Sequence, residues 1–149
     1  MSIVPTNVNY NSFLMFQNLI MLNRSYPFLN IQSIGKSVLG KNIYVVKLGQ
    51  GSKKVFYSAS IHSNEWITSV LLMKFIEDYC VAYVNESSLY GYSVRSLFDS
   101  VSIYIMPMVN PDGVDLVTGS LSLSSPAYLR AQNISSQFPD IPFPSRLES

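Results

Sequence analysis

An apolar run, Val55-Phe56-Tyr57-Ser58-Ala59, leads within three residues to the only histidine of the chain, His62, and then to a long helical pattern beginning near Glu65. No other stretch constrains the fold as much. A strand that feeds directly into a helix is the unit of α/β sheets, and such sheets place their sites beyond the carboxyl ends of the strands. His62 and Glu65 stand at i and i+3, neighbours on a first helical turn, so both can lean toward one point. Imidazole nitrogen and carboxylate oxygen are both good Zn²⁺ ligands, at about 2.0–2.2 Å, and a catalytic zinc takes three protein ligands and keeps one position for water. The chain offers two, with no second histidine. On local spacing alone the pair reads equally well as a histidine hydrogen-bonded beside a helix start, with Glu65 favoured by the positive end of the helix dipole.

A second feature lies further on, in Ser100-Val101-Ser102-Ile103-Tyr104-Ile105-Met106-Pro107-Met108-Val109-Asn110-Pro111-Asp112-Gly113. Val101, Ile103 and Ile105 share one strand face, and Tyr104 and Met106 make the other apolar too, the pattern of a strand buried on both sides. Asn110-Pro111-Asp112-Gly113 stops it. Pro111 fixes φ and pushes Asn110 toward extended geometry, and Gly113 is free to take positive φ, so a tight turn is expected.

Together, His62-Ser63-Asn64-Glu65-Trp66-Ile67, the helix after it, and Pro107 to Gly113 resemble the zinc carboxypeptidase family, the carboxypeptidase A-like metallopeptidases. Ser33-Ile34-Gly35-Lys36-Ser37-Val38-Leu39-Gly40-Lys41-Asn42-Ile43-Tyr44 is similar to the paired opening strands of that family, and the likeness runs from about Tyr10 to about Pro144. The resemblance implies a three-layer α/β/α fold with a mixed central sheet, of which this chain would be the N-terminal half. It also implies metal-assisted hydrolysis of an amide bond, with His62 and Glu65 as two of three Zn²⁺ ligands. The third ligand, a histidine, and the general-base glutamate belong to parts of the family domain with no counterpart in these 149 residues. The chain alone is therefore expected to be inactive, and its missing half is an expected partner.

One departure bears on substrate. Typical peptide-cleaving members carry Arg between the His and the Glu, where this chain has Asn64. Asn there is similar to the bacterial γ-D-glutamyl-diaminoacid endopeptidase branch, whose substrates are peptidoglycan peptides, and to N-acyl-amino-acid deacylases. A neutral amide cannot make the bidentate link to a carboxylate that a guanidinium makes. Trp66 and the Asn110 to Gly113 segment argue against the deacylase, and a non-catalytic binding or regulatory fragment of the same fold is the third alternative. Near the implied active-site mouth, Arg130 and Tyr128 are candidates to touch substrate, although Arg130 reads as readily as an exposed helix cation.

Composition enters where it separates classes. Charged residues make up 13% against about 25% in an ordinary soluble domain, as expected of elements covered on both faces. A net charge of +1 with scattered Lys and Arg leaves no basic stripe for nucleic acid. Cys80, the one cysteine, falls in a helical apolar run and reads as core packing. Phe13 to Leu22 is apolar but interrupted by Gln17 and Asn18, without a basic leader, and too short for the roughly 20 residues that span a bilayer. No secretory signal or membrane segment is read, and a cytoplasmic location is expected.

The remaining elements follow from periodicity. A helix is expected over about 10–24, with Phe13, Phe16, Ile20 and Asn23 on one stripe, ended by Tyr26-Pro27. Strands are expected over 28–38, 41–49 and 54–60, and a helix over 64–84 with Ile67, Leu71 and Phe75 beside Leu72, Ile76, Tyr79 and Tyr83 as its apolar stripes. Lys74 and Asp78 mark its solvated face. Residues 85–93 read as a polar loop, 92–99 as a short helix and 118–125 as a Ser-rich loop. Pro126 sits well before a helix over 127–134, and 135–149 reads as an irregular Pro/Phe-rich tail of a single domain.

Overall fold

The sheet is assembled from two kinds of strand pair. In the computed structural model, which describes residues 2–141, β1 (Asn30–Lys36) and β2 (Asn42–Leu48) form an antiparallel hairpin. Its turn is closed by Ser37 N–H to Lys41 O at 2.8 Å and Gly40 N–H to Ser37 O at 3.0 Å. β3 (Lys53–Ser58) follows β2 in sequence but is not its neighbour: β6 (Val101–Met106) lies between them, antiparallel to β2 and parallel to β3. The order is β1-β2-β6-β3, a mixed sheet.

Between β3 and β6 come a 3₁₀ turn (Ser63–Glu65), helix α2 (Trp66–Val84), a short hairpin of β4 (Ser88–Leu89) and β5 (Tyr92–Ser93), and helix α3 (Val94–Ser100). The hairpin replaces the loop expected over 85–93; Tyr90 and Gly91 both take positive φ at its tip, the turn whose twist suits a two-residue hairpin. Before β1 lies α1 (Ser12–Ser25), capped by Asn11, whose side chain accepts the Leu14 N–H. After β6 come α4 (Pro111–Val117) and α5 (Pro126–Ser136). Residues 135 and 136, expected in an irregular tail, close α5. The part of that tail from Pro142 to Ser149 lies outside the described residues.

Val46, Leu48, Ile103 and Ile105 form the buried side of the sheet and join Met15, Leu19 and Leu22 of α1 and Met73, Ile76 and Cys80 of α2 in one core. The expected stripe on α1 is rotated: Met15, Asn18, Leu19 and Leu22 face inward, while Phe13 and Phe16 are exposed. The helix is apolar nearly all round, so spacing could not choose a face. Asn18 goes inside because Tyr10 donates to its Oδ1 at 2.7 Å and its amide donates to Ile3 O at 3.2 Å. On α2 the inward line is Val70, Met73, Ile76, Glu77 and Cys80, and Ile67 and Leu71 stay exposed. No helix among the described residues is long and apolar enough to cross a membrane.

Candidate metal centre

Backbone pairing between β3 and β6 continues past both strand ends and fixes the loops that leave them. Ala59 N–H bonds Met106 O, Val109 N–H bonds Ala59 O, and Asn110 N–H bonds Ser60 O, all at 2.9–3.0 Å. Ser60 takes φ +50, a left-handed conformation uncommon for a residue with a side chain, and turns the chain away from the strand line. His62 is still extended, at φ −89 and ψ 145, and the chain then tightens into the 3₁₀ turn, with Glu65 N–H on His62 O at 3.2 Å. A regular helix begins only at Trp66.

That 3₁₀ geometry brings the expected pair together. Side chains three apart nearly eclipse in a 3₁₀ turn, and His62 Nδ1 lies 3.3 Å from Glu65 Oε1. Both are open to solvent, at 63% and 48% side-chain exposure, so an ion or substrate can reach them. Two donors at tetrahedral angles around zinc, each about 2.0–2.2 Å from it, lie about 3.3–3.6 Å apart. The observed separation therefore fits two corners of a zinc tetrahedron, and it also fits a long hydrogen bond. Among the described residues no group of three or more His, Cys, Asp and Glu side chains could hold a metal. His62 Nε2 has no acceptor there either.

Asn64 lies between the two donors on the same turn and is exposed. Arg130 is exposed on α5, and no hydrogen bond or ion pair ties it to His62, Asn64 or Glu65. Tyr128 is half-buried, its backbone N–H held by the capping Ser125 hydroxyl. One turn carries His62, Asn64 and Glu65 together.

What supports the turn was not visible in the spacing. The expected tight turn at Asn110 to Gly113 is a helix start: Pro111 occupies the first turn of α4, and the Asn110 side chain caps it through the Gly113 N–H at 2.9 Å. Gly113 does not take positive φ; a Cβ at that position would run into the Ser63 hydroxyl and the Asn110 side-chain amide. A larger residue would have to displace both side chains, so glycine lets α4 pack directly on the buried Ser63, next to His62. α4 is pinned in turn by its carboxylates. Asp112 accepts from the Ser37 hydroxyl and Leu39 N–H, and Asp115 from the Ser12 hydroxyl and N–H. Lys41 Nζ bridges the two, at 3.3 Å from Asp112 and 2.7 Å from Asp115. One lysine thus ties the β1–β2 turn and the start of α1 to the helix that backs the His62 turn.

Residues 15–135 match the zinc carboxypeptidase family. A γ-D-glutamyl-L-diamino acid endopeptidase of Lysinibacillus sphaericus is 42% identical over 109 residues, covering 73% of this chain and 28% of that protein. An uncharacterised Bacillus subtilis protein, YqgT, is 46% identical over 94 residues, covering 62% of this chain and 25% of its own length. Among solved structures, carboxypeptidase A of Helicoverpa armigera superposes with a TM-score of 0.64 at 21% identity, over 80% of this chain and 28% of that one, a likeness of fold. The chain thus spans about a quarter of the length of these three proteins. With its mixed sheet, its helices and the matched segment covering both the His62 turn and the Asn110 cap, this chain belongs to the zinc carboxypeptidase family, a family of zinc-dependent metallopeptidases that act on peptides.

Proposed function

We propose that this chain carries two of the three zinc ligands of a metallopeptidase that hydrolyses an amide bond in peptidoglycan peptides, His62 through Nδ1 and Glu65 through its carboxylate. The observation behind the assignment is the 3.3 Å approach of the two donor atoms on an exposed turn beyond the end of β3. When bound, zinc supplies Lewis-acid polarisation of the scissile carbonyl and acidifies a water. Within the chain, the 3₁₀ turn presents the donors, and Asn64 offers a neutral amide to the substrate where a guanidinium would select a free terminal carboxylate. The substrate class rests on Asn64 and on the endopeptidase relative.

A histidine as third ligand comes from outside these residues, since His62 is the only histidine. A partner segment fits best at β3. Among the described residues that strand pairs on one edge only, with β6, and its residues are exposed throughout. A strand added along the free edge would end close to the His62 turn, where a donor at its carboxyl end could complete the set.

The test is zinc titration of the purified 149-residue chain by competition with a fluorescent chelator, beside His62→Ala and Glu65→Gln. Weak one-site binding is expected in the parent and none in His62→Ala, with no turnover of a γ-D-glutamyl-diaminoacid peptide by any of the three. Equal zinc affinity in parent and His62→Ala, or measurable turnover by the chain alone, would overturn the proposal.

A further inference from the structure

Ser60 stands out among the residues around the turn. It is 1% exposed, it is not glycine, and yet it holds φ +50. A non-glycine residue in that region is strained and persists only where its surroundings over-determine it. Here every polar atom of Ser60 is engaged. Its N–H donates to Thr68 Oγ1 at 2.9 Å, its carbonyl accepts the Asn110 N–H at 3.0 Å, and its hydroxyl lies 3.3 Å from Glu65 O and 2.6 Å from Ser69 Oγ.

The proton count of this cluster is informative. Thr68 Oγ1 accepts from Ser60 N–H and donates its own proton to Glu65 O at 2.7 Å. Ser60 has one hydroxyl proton, and if that proton goes to Glu65 O, Ser69, fully buried, must donate to Ser60 Oγ. Two hydroxyls, of Ser60 and Thr68, therefore donate to the Glu65 carbonyl, and a third, of Ser69, backs Ser60. Glu65 stands just before α2, and its side chain makes no capping bond; among the described residues its carboxylate meets only His62. Its position is set through its backbone.

We propose that Ser60 is a positioning residue for the Glu65 carboxylate: its strained backbone and its hydroxyl, acting with Thr68 and Ser69, latch the Glu65 carbonyl so that the carboxylate stands beside His62 Nδ1. This rests on the zinc reading above. The latch joins the strand end to the helix start across the residues that carry the donors, so the spacing of the pair is held independently of any ion. Strain and positioning are coupled, because a relaxed backbone at residue 60 would aim the hydroxyl elsewhere.

Ser60→Gly separates the latch from a merely structural role. Glycine takes φ +50 without a Cβ penalty but has no hydroxyl, so the two roles predict opposite outcomes. In the full 149-residue chain, the midpoint of thermal unfolding without metal is expected to hold or rise in Ser60→Gly, while zinc affinity falls about tenfold, as for other groups that orient a metal ligand. Thr68→Val is expected to weaken zinc similarly, and the double variant by less than the product of the two, since both act on one carbonyl. Parent-like zinc affinity in Ser60→Gly, with the parent's own binding abolished by His62→Ala, would overturn the latch and leave the metal reading standing. Loss of the zinc reading itself shows differently, as no difference between the parent and His62→Ala.

Discussion

β2 and β3 are both apolar strands flanking β6, and they have opposite fates. Leu48 of β2 is 1% exposed and Val46 is fully buried, whereas all six residues of β3 are exposed, Phe56 to 56%. Composition leans the same way but is a small part of it: Asn42–Leu48 holds five apolar residues and one lysine in seven, Lys53–Ser58 three apolar residues and two lysines in six. What differs more is the covering: β2 has β1 on its other edge, with α1 and α2 over its core face, while β3 has, among the described residues, a neighbour on one side only. One flank of β6 is finished and the other is open, and the donor-bearing turn hangs from the open one.

The largest test of this contrast compares Leu48→Ala with Phe56→Ser. Removing a fully buried leucine destabilises by about 2–5 kcal/mol, because lost transfer energy and a residual cavity add. An exposed position away from caps and networks changes stability by no more than about 0.5 kcal/mol. Urea unfolding of both variants measures the difference. Phe56→Ser should instead change association: an apolar edge strand pairs with other chains, so sedimentation at high concentration should show the parent self-associating and the variant less so. A parent that stays monomeric at high concentration would mean that the edge is already blunted by Lys53 and Lys54 and that β3 is no docking site.

The next effect belongs to the finished flank. Asp115 is largely buried and binds Lys41 Nζ, Ser12 N–H and Ser12 Oγ at once. Asp115→Ala leaves the Ser12 N–H and hydroxyl without their acceptor and takes from Lys41 the shorter of its two ion pairs, which costs about 1–3 kcal/mol for a charged hydrogen-bonding group. Because α4 backs the His62 turn through Gly113 and Ser63, the same variant should also weaken zinc binding. Unchanged affinity in a destabilised Asp115→Ala would show that α4 supports the fold without setting the donors.

These contrasts also show what could be read from sequence. The two apolar runs that became β3 and β6 were legible because each is continuous and bounded by breakers, and the His62–Glu65 pair because i and i+3 spacing survives a change from α to 3₁₀ geometry. The inward face of α1 was not legible, since the choice depends on Tyr10 and Ile3 satisfying Asn18. Nor was α4: a proline and a glycine two apart suit a turn, and only packing on Ser63 explains a glycine inside a helix. Ser60 carries no local preference for left-handed backbone, and its conformation is imposed by partners as distant in sequence as Asn110. The candidate ligands are a local signal, and the scaffold that aims them is not.

The smallest effect sharpens the contrast on α2 itself, which carries an exposed apolar face and a buried carboxylate. Glu77, 4% exposed, accepts from Ile3 N–H and Val4 N–H, from the Ser2 hydroxyl and from Lys74 Nζ. It thereby straps residues 2–4 across the finished flank. Burial pushes its carboxyl upward, but the Ile3 amide, Lys74, Ser2 and the Val4 amide together outweigh that and hold it below the ordinary carboxylate range. A group whose folded pKa is depressed contributes stability that is fully present above its unfolded pKa, about 4.3 for Glu, and that is lost as pH falls through the lower folded value. The parent should therefore exceed Glu77→Gln in stability at pH 6–7, with the gap closing below about pH 4 as the parent's carboxylate takes up its proton. Urea midpoints of both proteins from pH 7 down to pH 3 test this. A gap independent of pH would mean that the strap depends on the shape of the side chain and not on its charge, and the hold on Ile3 and Val4 would then be no stronger than a neutral acceptor provides.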